Sequence, residues 1–180
     1  MIFKIYLKIL KIVNFRKYAK TIGVNYGHNT IFIGHGTSFG SEPYLISIGN
    51  NVLISNEVLF VNHDGGIHVL DKSKYKNVVK YGSISIGDNV FVGQRTIIMP
   101  GVRIGNNVVI GAGSIVTKSI PDNCIVAGNP AKFICYYNDY CENSYKSNPK
   151  YDIDNYKNNK KDEVMKICSK QKLKENITLK

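Results

Sequence analysis

A chain of 180 residues, 43% of them apolar and none tryptophan, is long enough to bury a core without disulfides. Its Ile, Val, Asn and Gly content favours strands with tight turns over helices. The net charge of +11 sits at the ends: residues 1–20 carry six basic and no acidic groups, residues 21–135 eight and six, and the remainder ten and seven. The near-neutral body argues against a nucleic-acid groove, and the spacing of Cys124, Cys135, Cys141 and Cys168 against a zinc site or a disulfide scaffold.

Residues 1–20 read as a basic amphipathic helix. Lys4, Lys8 and Lys11 interrupt the apolar run, so it contains neither a signal-peptide core nor a spanning segment of about 20 apolar residues. A cytoplasmic protein is expected. The three lysines share one helical stripe. Two roles stay open for this helix: a cap over the exposed end of the next element, or peripheral contact with the anionic inner face of a membrane.

Residues 21–135 carry a repeat of six. Ile86, Val92, Ile98, Ile104, Ile110 and Val116 recur without a failure, and two residues before them stand Ile84, Val90, Thr96, Val102, Val108 and Ser114. Residues two apart on a strand point the same way, so each pair faces one interior. Glycine follows most of the pairs, and Asp88-Asn89 and Asn106-Asn107 lie just beyond, where such side chains suit a corner. A chain that turns at every hexad closes a coil after three sides and stacks the next coil upon it, giving a parallel β-helix. The register also runs through Ile48, Ile54 and Phe60, and through Ile33 and Phe39.

From Phe60 to Ile86 the count slips, and residues 64–83 are expected to protrude as a loop. Pro121 and Pro130 are expected to end strand pairing near residue 134. Residues 136–180 form a polar extension whose Asn-, Lys- and Tyr-rich part to residue 160 resembles a mobile tail. A short helix is expected over 161–174, with Val164, Ile167, Cys168 and Leu173 on its apolar face.

The hexads, the run Ile110-Gly-Ala-Gly-Ser-Ile-Val-Thr-Lys118 and the run Ala127-Gly-Asn-Pro-Ala-Lys132 resemble the hexapeptide acyltransferases of the galactoside, maltose and xenobiotic O-acetyltransferase type, over roughly residues 22–135. The resemblance implies an all-β, left-handed parallel β-helix, a homotrimer, and acetyl-CoA bound in clefts between subunits. It also implies donor contacts at Gly111, Ala112, Thr117 and Lys118, with Lys132 near the CoA phosphates. Gln94 matches a further donor-contacting position, at which relatives often carry a smaller residue, and Cys135 a position where some carry arginine.

His63 occupies the family's catalytic position, at the mouth of the loop. A sugar hydroxyl is a poor nucleophile at neutral pH, and an imidazole within hydrogen-bond reach supplies the base it needs. Asn62, Asp64 and His68 are candidate contacts to the acceptor. Asp64 has two readings, as the group orienting the imidazole or as an Asx-type turn residue before Gly65 and Gly66. No metal is expected, because only His63 and His68 lie close together in sequence. The reading is an O-acetyltransferase acting on a sugar or surface polysaccharide, with His63 as general base. N-acetylation of an amino-sugar nucleotide and a non-catalytic β-helix scaffold are the alternatives.

Overall fold

The computed structural model describes residues 2–170, which divide into two compact units, the first ending at Tyr140 and the second beginning at Cys141. In the first unit the hexads fold into three stacks of short strands. One face carries β1 (Asn25–Tyr26), β3 (Ile46–Ile48), β6 (Ile84–Ile86) and β9 (Arg103–Ile104). A second carries β2 (Ile31–Phe32), β4 (Leu53–Ile54), β7 (Val90–Val92), β10 (Val108–Ile110) and β12 (Cys124–Ala127). The third carries β5 (Leu59–Phe60), β8 (Ile97–Ile98) and β11 (Ile115–Val116). All of these strands pair in parallel with the coil above or below, and Val90 lies opposite Val108 as Ile97 lies opposite Ile115. The body is a parallel β-helix.

Both members of every regular hexad pair from Ile84 to Val116 are buried. Each buried aliphatic side chain is worth roughly 1.5–3 kcal/mol. The two polar members keep their hydrogen bonds, since Thr96 Oγ1 and Ser114 Oγ both donate to the Gly111 carbonyl. The asparagines follow from the corners. Asn29, Asn51, Asn89, Asn107 and Asn123 all have φ between 52° and 61°, a conformation Asn tolerates better than most residues. Their amides form rungs, with Asn89 Nδ2 donating to Asn107 Oδ1 at 2.7 Å and Asn107 Nδ2 to Asn123 Oδ1 at 2.8 Å.

Three expectations are corrected. The N-terminal segment is two helices, α1 (Ile2–Val13) and α2 (Phe15–Thr21), because the Asn14 side chain accepts a hydrogen bond from Lys17 N and starts a second helix. The shorter helix covers the first coil: Phe15 and Ala19 are buried, and the Phe15 ring centroid lies 5.7 Å from Phe32 and 5.8 Å from Phe39. Strand pairing also continues past Pro130, since β13 (Lys132–Tyr136) reverses direction and pairs antiparallel with β12. Finally, the polar extension is largely helical, with α3 (Tyr137–Lys146), α4 (Ile153–Asn158) and α5 (Lys160–Lys170). In the second unit Asp152 caps α4, and the buried Glu163 accepts hydrogen bonds from Asp152 N and Asn155 Nδ2. Polar composition concealed this capping. Leu173, expected at the end of the last helix, lies outside the described residues.

Candidate active site

Two insertions meet at one corner. Passing from the third face to the first normally takes six residues, as from Ile97 to Arg103, but Ser38 and Ser47 are nine apart and Leu59 and Ser85 twenty-six. The shorter insertion contains Glu42 before a 3-10 turn at Pro43–Leu45. The longer one contains His63 and the loop 64–83. Because the coils stack, the two insertions lie one above the other. Glu42 Oε2 stands 2.9 Å from His63 Nδ1, with the Glu42 side chain 14% exposed and that of His63 44%. A carboxylate accepts, so Nδ1 is the donor of this pair, and in the neutral ring Nε2 is the nitrogen left with a lone pair.

The loop is clamped at its root. Gly82 N donates to Asn62 O at 2.8 Å and Asp64 N to Lys80 O at 2.9 Å, flanking an antiparallel bridge between His63 and Tyr81. Asp64 completes the clamp. Its Oδ1 accepts from Gly66 N at 2.9 Å and its Oδ2 pairs with Lys80 Nζ at 2.6 Å. The Lys80 ammonium, with the Gly66 N–H, holds the Asp64 carboxyl below the usual carboxylate range. The turn reading of Asp64 therefore holds, and the orienting reading gives way to Glu42, which the sequence did not single out.

Beside the clamp lies a cavity of about 520 Å³ whose walls include His63, Asp64, Lys80, Tyr81, Met99, Pro100 and Thr117. The Tyr81 ring stands edge-on to the imidazole at 6.0 Å between centroids. Of the candidate residues, His63, Asp64 and Thr117 share this cavity. Lys118, the next residue after Thr117, is exposed at the same corner. Asn62 points into the coil at 1% exposure, with no hydrogen-bond partner for either side-chain atom, so it does not present its amide to an acceptor. His68 is exposed in a 3-10 turn at Gly65–Val69 and is not among the cavity's lining residues.

Gln94, Gly111 and Ala112 lie at the neighbouring corner, between the second and third faces, where Gly113 N donates to Gln94 O at 2.8 Å. The third face separates them from the cavity, and the four residues from Gly113 to Thr117 span at most about 14 Å. Lys132 opens β13 and is exposed. Among the described residues no three His, Cys, Asp or Glu side chains are placed to hold a metal.

The parallel β-helix and the carboxylate-paired histidine at the mouth of its loop can be set beside known proteins. The family described as "hexapeptide repeat of succinyl-transferase" matches residues 83–118. The chain is 44% identical over 132 residues to Protein CapG of Staphylococcus aureus, covering 73% of this chain and 76% of that protein. It is also 44% identical over 106 residues to galactoside O-acetyltransferase of Escherichia coli K12, covering 58% of this chain and 50% of that enzyme. The maltose O-acetyltransferase structure from Clostridium difficile 630 superposes with a TM-score of 0.50 at 26% identity, over 73% of this chain and 84% of that one. The chain belongs to the hexapeptide-repeat acetyltransferase family and is an acyltransferase.

Proposed function

We propose that the protein transfers an acetyl group from acetyl-CoA to a hydroxyl of a sugar or surface polysaccharide, with His63 as the general base. The observation that carries this reading is the His63–Glu42 pair on a cavity of about 520 Å³. The relatives named galactoside and maltose O-acetyltransferase support the acceptor class. With Nδ1 fixed by Glu42, His63 Nε2 takes the proton of the acceptor hydroxyl as its oxygen attacks the acyl carbon, and returns a proton to the departing sulfur. Glu42 holds the ring in that orientation and offsets the positive charge it acquires. Acetyl-CoA supplies the activated acyl group. Such acid–base assistance contributes about a hundredfold to ten-thousandfold, the rest coming from the positioning of the two substrates. The Tyr81 ring and the Met99 side chain give a sugar an apolar wall, and the Asp64–Lys80 pair gives it a polar rim.

The donor would run along the third face from the Gln94, Gly111 and Ala112 corner towards Thr117, with Lys118 and Lys132 for its phosphates. Small residues at 111 and 112 leave room for an amide-bearing arm. A homotrimer with a left-handed coil accords with this placement. The second face carries Ile31, Leu53, Phe91 and Val109 outwards in register, and the third Leu59, Ile97 and Ile115, whereas the first carries Asn25, Ser47, Ser85 and Arg103. Two different apolar faces are what a head-to-tail ring of copies covers. On this reading residues 21–135 are the acyltransferase body and the protein works in the cytoplasm. The test is CoA thiol release with acetyl-CoA and a panel of neutral sugars, polysaccharides and amino-sugar nucleotides. Turnover with a hydroxyl acceptor is expected; turnover with the amino sugars alone would make the enzyme an N-acetyltransferase.

A further inference from the structure

The charge and apolar pattern of α1 is not used by the acyltransferase site. With α2 capping the first coil, α1 packs only part of its apolar surface. Its residue Leu10 is buried, and Ile2, Ile5, Ile9 and Ile12 form one outward stripe at 83%, 52%, 56% and 69% exposure. Their 3-4-3 spacing keeps them on a single helical line. Lys4, Lys8 and Lys11 each precede one of these isoleucines and form a parallel row about a quarter-turn away. Lys11 lies over the Tyr18 ring at 5.8 Å. Among the described residues, no carboxylate lies within ion-pair distance of any of the six cations in residues 1–20.

We infer that α1 docks on the surface of an anionic lipid bilayer, with the isoleucine stripe in the acyl boundary and the lysine row at the phosphates. Aliphatic residues beside lysines that extend to the interface are the pattern of a helix lying in that plane. The helix has 12 residues and no described helix is long and apolar enough to cross a membrane, so the contact is peripheral. A second copy packed on the same stripe would bring two lysine rows together with no acid in either segment to offset them. The inference stands apart from the acyl-transfer reading, since none of these residues lines the cavity.

The experiment is co-sedimentation of the full-length protein with phosphatidylcholine vesicles, with and without phosphatidylglycerol. The wild type should pellet with the anionic vesicles roughly tenfold better than with the neutral ones, and less as salt is raised. Ile5→Glu/Ile9→Glu should stay in the supernatant while keeping the wild-type circular dichroism spectrum and turnover with a soluble acceptor. Lys4→Glu/Lys8→Glu should lose the preference for the anionic vesicles. A wild type that ignores both vesicles overturns the inference, as does an Ile5→Glu/Ile9→Glu protein that pellets like the wild type. A wild type that ignores vesicles but whose mass by analytical ultracentrifugation falls in Ile5→Glu/Ile9→Glu would instead place another copy on the stripe.

Discussion

Glu42 Oε2 lies 2.9 Å from His63 Nδ1 although the two residues are 21 positions apart, because both corner insertions of the β-helix emerge on the same edge. The pair fixes the imidazole at the wall of the cavity, with Nδ1 on Glu42 and Nε2 left for a second partner. On the proposed mechanism, replacing Glu42 by Gln keeps the shape and removes the charge that would stabilise the protonated ring during turnover. The expected result is a kcat lower by about 10–100-fold, with KM for both substrates little changed. Steady-state kinetics separates this from a binding defect, which would raise KM instead.

Asp64 ties the root of the loop to Lys80, and its carboxyl is held below the ordinary range by that ammonium and by the Gly66 N–H. A carboxyl depressed in the folded state stabilises the fold fully above its unfolded pKa of about 4, and the contribution is lost as pH falls through the folded value. Asp64→Asn retains an oxygen for Gly66 N and isolates the ion pair. Its thermal midpoint should lie slightly below that of the wild type at neutral pH. The two should converge as pH falls below about 4.

Gly93 sits where one coil passes close to the backbone of the next: a Cβ there would stand 2.4 Å from Ala112 N and 2.7 Å from Ile110 O. These contacts are all backbone of the next coil, which cannot yield without parting the two coils. Gly93→Ala should therefore cost roughly 1–3 kcal/mol in denaturant unfolding. It should also weaken acetyl-CoA binding, since Gly111 and Ala112 are the residues displaced.

Burial pushes the Cys124 thiol up, and the nearby Asp122 carboxylate adds to the effect. Cys141 and Cys168 are exposed. Iodoacetamide at mildly alkaline pH followed by peptide mass spectrometry should modify Cys141 and Cys168 in the folded protein. Cys124 should react only after unfolding.

The interior of the β-helix was legible because burial imposes a period on the sequence. Ile98 and Ile104 must repeat the environment of Ile86 and Val92, so the chain repeats their chemistry. His63 was legible because the loop interrupts that period just beyond it. Glu42 was not, since its insertion is short, irregular and distant in sequence, and only stacking brings it to the imidazole. Asp64, the carboxylate next to His63 in sequence, was the natural candidate for that role, but its side chain closes a local turn and meets Lys80. Asn62 misled in the same way, because two residues after Phe60 a side chain returns to the interior. In the polar extension, helix caps such as Asp152 set structure that composition alone does not reveal.

Turnover of wild type and His63→Ala with acetyl-CoA and a sugar acceptor tests most directly whether His63 is the base. CoA release should be followed together with the acetylated product by mass spectrometry. The wild type should form the O-acetyl sugar, and His63→Ala should lose about a hundredfold to ten-thousandfold in kcat while binding acetyl-CoA with unchanged affinity. Turnover of His63→Ala at the wild-type rate would contradict the assignment and move the base to another residue.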